Sequence, residues 1–181
     1  MQLDKEEASS YNMGANAQEK EYFMPIRLAR PADIPALQGL LQQILSVHHQ
    51  ARPDLFKDSG SKYTDQDLAD LMTKPETPIF VYEDEAGHVL GHLFITIKEP
   101  KDHGALKPVK TVFIEDLCVD SQARGQKIGD QLFAFAKNYA QEIGCYNLTL
   151  NVWQANAGAL RFYQGQGMQP QETTMEIIFD H

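Results

Sequence analysis

Basic residues are scarce in this chain: 16 Lys and Arg stand against 25 Asp and Glu, a net charge of −9. A general nucleic-acid binder works by neutralising phosphates, so that balance argues against one. No apolar run is long enough to span a bilayer, and no basic–apolar–small segment reads as a signal peptide. Cys118 and Cys145 are the two cysteines, and both read as thiols on inner strands in a reducing cytosol. The expected location is cytoplasmic, with neither nucleic acid nor membrane as partner. Nucleotide strings are missing too: neither G-x-x-x-x-G-K-[ST] nor G-x-G-x-x-G occurs.

What is present supports a well-packed fold. At 181 residues with 43% hydrophobic side chains, the chain is one domain with a good core. Residues 1–23 are polar and without period, and read as a flexible extension before a single domain over 24–181. The acidic surface suits a cationic substrate, although such surfaces also serve solubility alone.

Along the chain, residues 26–28 read as a short strand. Pro31 and Asp33 open a helix whose stripe is Ile34, Leu37, Leu41, Ile44 and Leu45, extended by His48. A His on such a face is ordinarily a satisfied core residue; the sharper reading of His48 is a side chain that faces substrate. With His49 adjacent and no carboxylate or Cys at ligand spacing, no metal site is expected. A second helix covers Asp65 to Met72. Residues 78–83 and 89–97 form an antiparallel hairpin, and a loop over 100–108 leads onward.

The most informative stretch runs from Val112 to Gly129. Val112 to Val119 is an apolar strand buried on both faces. A polar turn with Arg124, Gly125, Gln126, Lys127 and Gly129 follows. Ile128, Leu132, Phe135, Ala136, Tyr139 and Ile143 then fall on one helical stripe. A helix N-terminus at a strand end presents unpaired N–H groups to an anion, and the cations reinforce it. An ordinary βα turn with solvated cations would carry the same residues. Gly144 stops the helix, residues 146–152 form a strand parallel to the central one, and a short helix covers Ala155 to about Gln166. Residues 173–179 read as a last strand. The fold class is α/β (α+β): a mixed, mostly antiparallel sheet with a parallel central pair and helices on both faces.

Three motifs together resemble the GNAT superfamily of acyl-CoA-dependent N-acetyltransferases over roughly residues 25–179. They are Glu115-Asp-Leu-Cys-Val-Asp120, Arg124-Gly-Gln-Lys-Ile-Gly129, and Asn156-Ala-Gly-Ala-Leu-Arg-Phe-Tyr163 with Gly165 and Gly167 after it. The Ile114–Leu117 run is similar to the polyamine and small-amine branch. The family turn follows Arg/Gln-x-x-Gly-x-Gly/Ala, and Lys127 stands at its first Gly. The resemblance implies acetyl-CoA as cosubstrate, its pyrophosphate on the N–H groups of Arg124, Gly125, Gln126, Lys127, Ile128 and Gly129. Its pantetheine arm would pair along Leu117, Cys118 and Val119 like an added strand.

The reaction that the resemblance implies is attack of an amine on a thioester. An alkylammonium, with a reference pKa of about 10.4, must first lose a proton. Glu115 is the candidate acceptor. Strict alternation places it with Phe113, Leu117 and Val119, where burial disfavours a charged carboxylate and suits it to take a proton; a local bulge would instead turn it to solvent. Asp116, alternating with Ile114 and Cys118, is expected to attract the cationic substrate or to pair structurally. Tyr163 is the candidate acid for the departing thiolate. Backbone N–H groups near Leu117–Val119 would stabilise the oxyanion. Asn156 would orient pantetheine, and Asn151 would line the pocket near the acetyl group. The expected activity is acetyl transfer to a primary amine of a small molecule. A protein N-terminal or lysine acetyltransferase and a non-catalytic CoA-binding sensor are the alternatives. The resemblance alone also implies a homodimer through the C-terminal strands.

Overall fold

The computed structural model describes residues 25–99, 104–105 and 107–179. The expected 1–23 extension and most of the 100–108 loop lie outside the described residues. In order, the elements are β1 (Ile26–Leu28), α1 (Ile34–Ala51), α2 (Asp65–Met72), β2 (Ile79–Glu83), β3 (Val89–Lys98), β4 (Thr111–Val119), α3 (Ile128–Glu142), β5 (Asn147–Leu150) and α4 (Ala157–Gly165). Short 3-10 turns precede α1 at Pro31–Asp33 and α3 at Ser121–Ala123.

The ends of these elements follow local chemistry. Thr64 and Asp67 form a reciprocal capping box that starts α2. Gly144, at φ +73°, takes the chain out of α3. The strands run β1-β2-β3-β4-β5 in one sheet, antiparallel except for the parallel β4–β5 pair. The α3 face buries Leu93, Ile95, Val112 and Ile114 against Ile128, Leu132, Phe133 and Ala136. On the opposite face Val81 and Phe94 pack with Leu37, Leu41 and Leu68 of α1 and α2. Helices thus cover both faces, as expected for this class.

Four expectations need correction. Residues 173–179 form no strand; among the described residues no strand pairs with them, and Met175, Ile177, Ile178 and Phe179 are exposed. β5 consequently stands at an edge of the sheet of described strands, and the parallel pair with it. On α3 the buried set includes Phe133 and Ala140, while Phe135 and Tyr139 are half-buried. Phe133 is drawn in because α4 covers that flank, bringing the Phe162 and Tyr163 rings to 6.2 and 6.0 Å from it. Cys145 precedes β5 in the turn after α3 and is only partly covered, whereas Cys118 is a buried thiol within β4.

The fourth correction concerns the site directly. The β3–β4 register slips between Phe94 and Ile95, so Phe94 pairs with Asp116 and Ile95 with Ile114. Glu115 is the extra, bulged residue. A bulge breaks the period-2 alternation: Ile114, Leu117 and Val119 all pack toward α3, and Asp116 and Cys118 turn toward α1. Glu115 therefore does not share a buried face with Leu117 and Val119. It is exposed, and its carboxylate accepts a hydrogen bond from Thr96 Oγ1 at 2.9 Å.

Candidate active site

β4 and β5 pair over Thr111–Ile114 and Asn147–Leu150 and no further. Beyond Ile114 the strands part, leaving the outer edge of Glu115–Val119 without a β5 neighbour. A buried sheet edge must find partners for its N–H and C=O groups. Here that edge forms one wall of a cavity of about 500 Å³, closed by the end of α1, the loop after β5, and α4.

The cavity gathers Glu115, Asp116, Leu117, Cys118, Val119, Arg124, Gly129, Asn151, Asn156, Tyr163 and His48. Gly125, Gln126, Lys127 and Ile128 do not line it. They form the turn beyond its end, and the Ile128 side chain is 2% exposed within the α3 core. In that turn Gly125 has φ +83° and Lys127 φ +60°, the sole non-Gly residue at positive φ among those described. The left-handed conformation costs a side-chain-bearing residue about 1–2 kcal/mol. It is adopted at the N-cap of α3, where no side chain caps the helix. The first N–H groups of α3 are thus left for an anion. Gln43 braces the turn from α1, accepting from Ser121 N at 2.9 Å and donating to Asp120 at 3.1 Å.

Tyr163 lines the cavity from α4. Burial, with Asp116 and Cys118 nearby, pushes its phenol up to about 12. It therefore stays protonated through neutral pH, as a proton donor must. Burial likewise pushes the Cys118 thiol up to about 12, which makes it a packing residue and not a nucleophile. Asn156 caps α4, its carbonyl oxygen accepting from Ala159 N at 3.1 Å, and its amide N–H groups remain for a ligand.

The far end is aromatic. His48 stacks on Phe56 with ring centroids 4.9 Å apart, Phe56 meets Trp153 edge-on at 5.5 Å, and the Arg52 guanidinium lies 5.6 Å from the Trp153 ring centre. Burial lowers the His48 pKa, which favours the neutral imidazole. Two features had escaped sequence reasoning. Phe56 and Trp153 lie in loops whose meeting no local period announces. His92 stands inside an apolar strand, and that polar exception was the only available signal.

Comparison with known proteins bears on what binds here. The acetyltransferase (GNAT) family model matches residues 41–168. Glucosamine 6-phosphate N-acetyltransferase from Arabidopsis thaliana is 32% identical over 71 residues, 39% of this chain. That match spans 46% of the relative's own length, about half. Among solved structures, a mutant of the BH1408 protein from Bacillus halodurans superposes with a TM-score of 0.82 at 27% identity, covering 86% of this chain and 99% of that one. An aminoglycoside N-acetyltransferase solved with CoA shares the fold at a TM-score of 0.63 and 16% identity, covering 86% and 99% of the two chains. The matched stretch contains the parted strands, the left-handed turn and the α4 tyrosine alike, and on that ground the chain belongs to the GNAT acetyltransferase family.

Proposed function

We propose that the protein transfers the acetyl group of acetyl-CoA to the primary amine of a small molecule by direct attack. The observation that carries this reading is the single cavity in which an open strand edge, two carboxylates and a buried phenol meet. The features present fit the cosubstrate. Arg124 and the N–H groups from Gly125 to Gly129 would hold its pyrophosphate, and the Leu117–Val119 edge with Asn156 its pantetheine arm. When bound, it supplies the activated acyl carbon and a thiolate leaving group.

The chain's own residues do the remainder. An acceptor ammonium gives its proton to Glu115, which the bulge opens to water, so that the proton can pass on to solvent. As the C–N bond forms and the C–S bond breaks, the Tyr163 phenol protonates the leaving sulfur. The nitrogen's surplus proton restores the phenol. N–H groups of the β4 edge stabilise the negative oxygen. A small acceptor is favoured over a peptide because α1 and Trp153 line the cavity, with Phe56 packed behind them on His48 and Trp153. The named relatives act on an amino sugar phosphate and on aminoglycosides, which are small amines.

We infer also a homodimer, in which the apolar 173–179 segment pairs with the open edge of β5 in a second copy. A cytoplasmic setting is inferred from the two free thiols. No helix among the described residues is long and apolar enough to cross a membrane.

The test is acetyl-CoA-dependent thiol release over a panel of polyamines, aminoglycosides, amino acids and peptides. Turnover of small amines with peptides inert is the expected result. Peptide turnover alone would replace the acceptor assignment, and acetyl-CoA binding without any turnover would favour a sensor.

A further inference from the structure

Among the described residues, the buried side-chain nitrogen and oxygen atoms without a hydrogen-bond partner are His48 Nδ1, both ring nitrogens of His92, and Asp116 Oδ1. Orphans of this kind each cost about 1–3 kcal/mol and are few in native proteins. Here they belong to three residues on one face. The ladder sets His92 opposite Cys118 and Phe94 opposite Asp116, and the bulge turns Asp116 toward α1, which carries His48. His92 is 0% exposed and lies edge-on to Phe94, and its Nε2 is 3.4 Å from Asp116 Oδ1.

Packing does not account for the arrangement, because apolar residues of similar volume would fill the space at lower cost. Asp116 does border the cavity at its acceptor end, and its field reaches His48, Cys118 and Tyr163. The ion pairs of the described residues give it no Lys or Arg partner. What the site lacks is a cation with several donors, and a primary ammonium is one.

We infer that Asp116 binds the acceptor's ammonium group and that His92 is its positioning residue, packed against Oδ1 so that the second oxygen is the one left to the cavity. The inference rests on the amine-acceptor reading above and names the anchor within it. The 3.4 Å contact lies just beyond N–H···O bonding distance. The fully buried ring occupies that side of the carboxylate and leaves the cavity as the side open to an ammonium.

Steady-state kinetics on His92→Leu, His92→Gln, Asp116→Asn and the double variant His92→Leu/Asp116→Asn test it. His92→Leu is expected to raise KM for the amine about tenfold, leaving kcat and the acetyl-CoA dissociation constant unchanged. His92→Gln keeps an N–H donor and recovers most of the loss. In the Asp116→Asn background, His92→Leu adds nothing, because both act on one interaction. Additive losses, or equal damage to kcat and acetyl-CoA binding, would reduce His92 to a packing residue and overturn the proposal.

A second measurement needs no turnover. Butylammonium chloride is titrated into the wild-type protein while the His92 imidazole ¹⁵N signals are followed. A saturable shift that vanishes in Asp116→Asn supports the anchor, and no shift refutes it. If the shift occurs while every amine fails as a substrate, the enzymatic reading falls and the ammonium site stands.

Discussion

The phenol of Tyr163, held protonated by burial, is the residue on which the proposed chemistry turns. Tyr163→Phe is expected to lower turnover about a hundredfold, the range for loss of a general acid, with acetyl-CoA affinity intact by calorimetry. Wild-type turnover would remove its acid role. Glu115→Gln should also slow the reaction, with a deficit that narrows as pH rises. Toward about pH 10 the free amine is supplied by solution equilibrium and needs no acceptor. A rate ratio that stays constant from neutral to alkaline pH would move proton acceptance elsewhere, His48 being next in reach of the cavity. At this scale the residues that meet around the cavity were readable where a motif carried them, as with Arg124, Gly129, Asn156 and Tyr163. His92 was not, because its partner lies on the next strand and a single His in Val-Leu-Gly-His-Leu-Phe-Ile-Thr-Ile has no local counterpart. Lys127 was legible as a departure from the family turn. Its left-handed conformation shows that the turn carries the strain of a side chain there.

Among elements, the packing of α3 on the sheet depends on Gly91. A Cβ there would stand 2.9 Å from the Cys118 carbonyl oxygen and 3.1 Å from Leu132 Cδ1. Gly91→Ala is therefore expected to cost about 1–3 kcal/mol in urea unfolding, since backbone cannot retreat as a side chain would. Unchanged stability would mean that α3 seats less tightly than described. Near the start of the sheet, Arg27 of β1 bridges Glu83 of β2 and Asp33 before α1, with Nη1 2.7 Å from Asp33 Oδ2. The hydrogen bond from Arg27 holds the Asp33 carboxyl below its ordinary range. A carboxylate lowered in the folded state stabilises above its unfolded pKa of about 3.9, and that contribution is lost as pH falls through the folded value. Asp33→Asn should thus be less stable than wild type by about 2 kcal/mol at pH 7, with the gap closing below about pH 3.9. A gap independent of pH would assign the loss to packing. The helices and hairpin were legible from periodicity and caps. The β4 bulge was not, because nothing in Ile114-Glu115-Asp116-Leu117 says which residue is extra; the partner strand decides that.

For the whole molecule, layer order and the parallel pair followed from element order and connection rules. The final strand did not: residues 173–179 have strand composition, and a strand also requires a neighbour to pair with. Within one chain the tail is held at Glu176, which Arg52 reaches at 2.7 Å, while four large apolar side chains face outward. Removing residues 173–181 is expected to convert a dimer to a monomer by light scattering, and a wild-type monomer at assay concentration would refute the dimer. The parting of β4 from β5 has a longer reach. A docking ledge made of peptide groups is the same whatever side chains flank it. Under the proposed function, mutational drift can therefore rewrite the acceptor end of the cavity while the donor's berth persists, and new acceptor preferences become accessible without rebuilding the grip on the coenzyme.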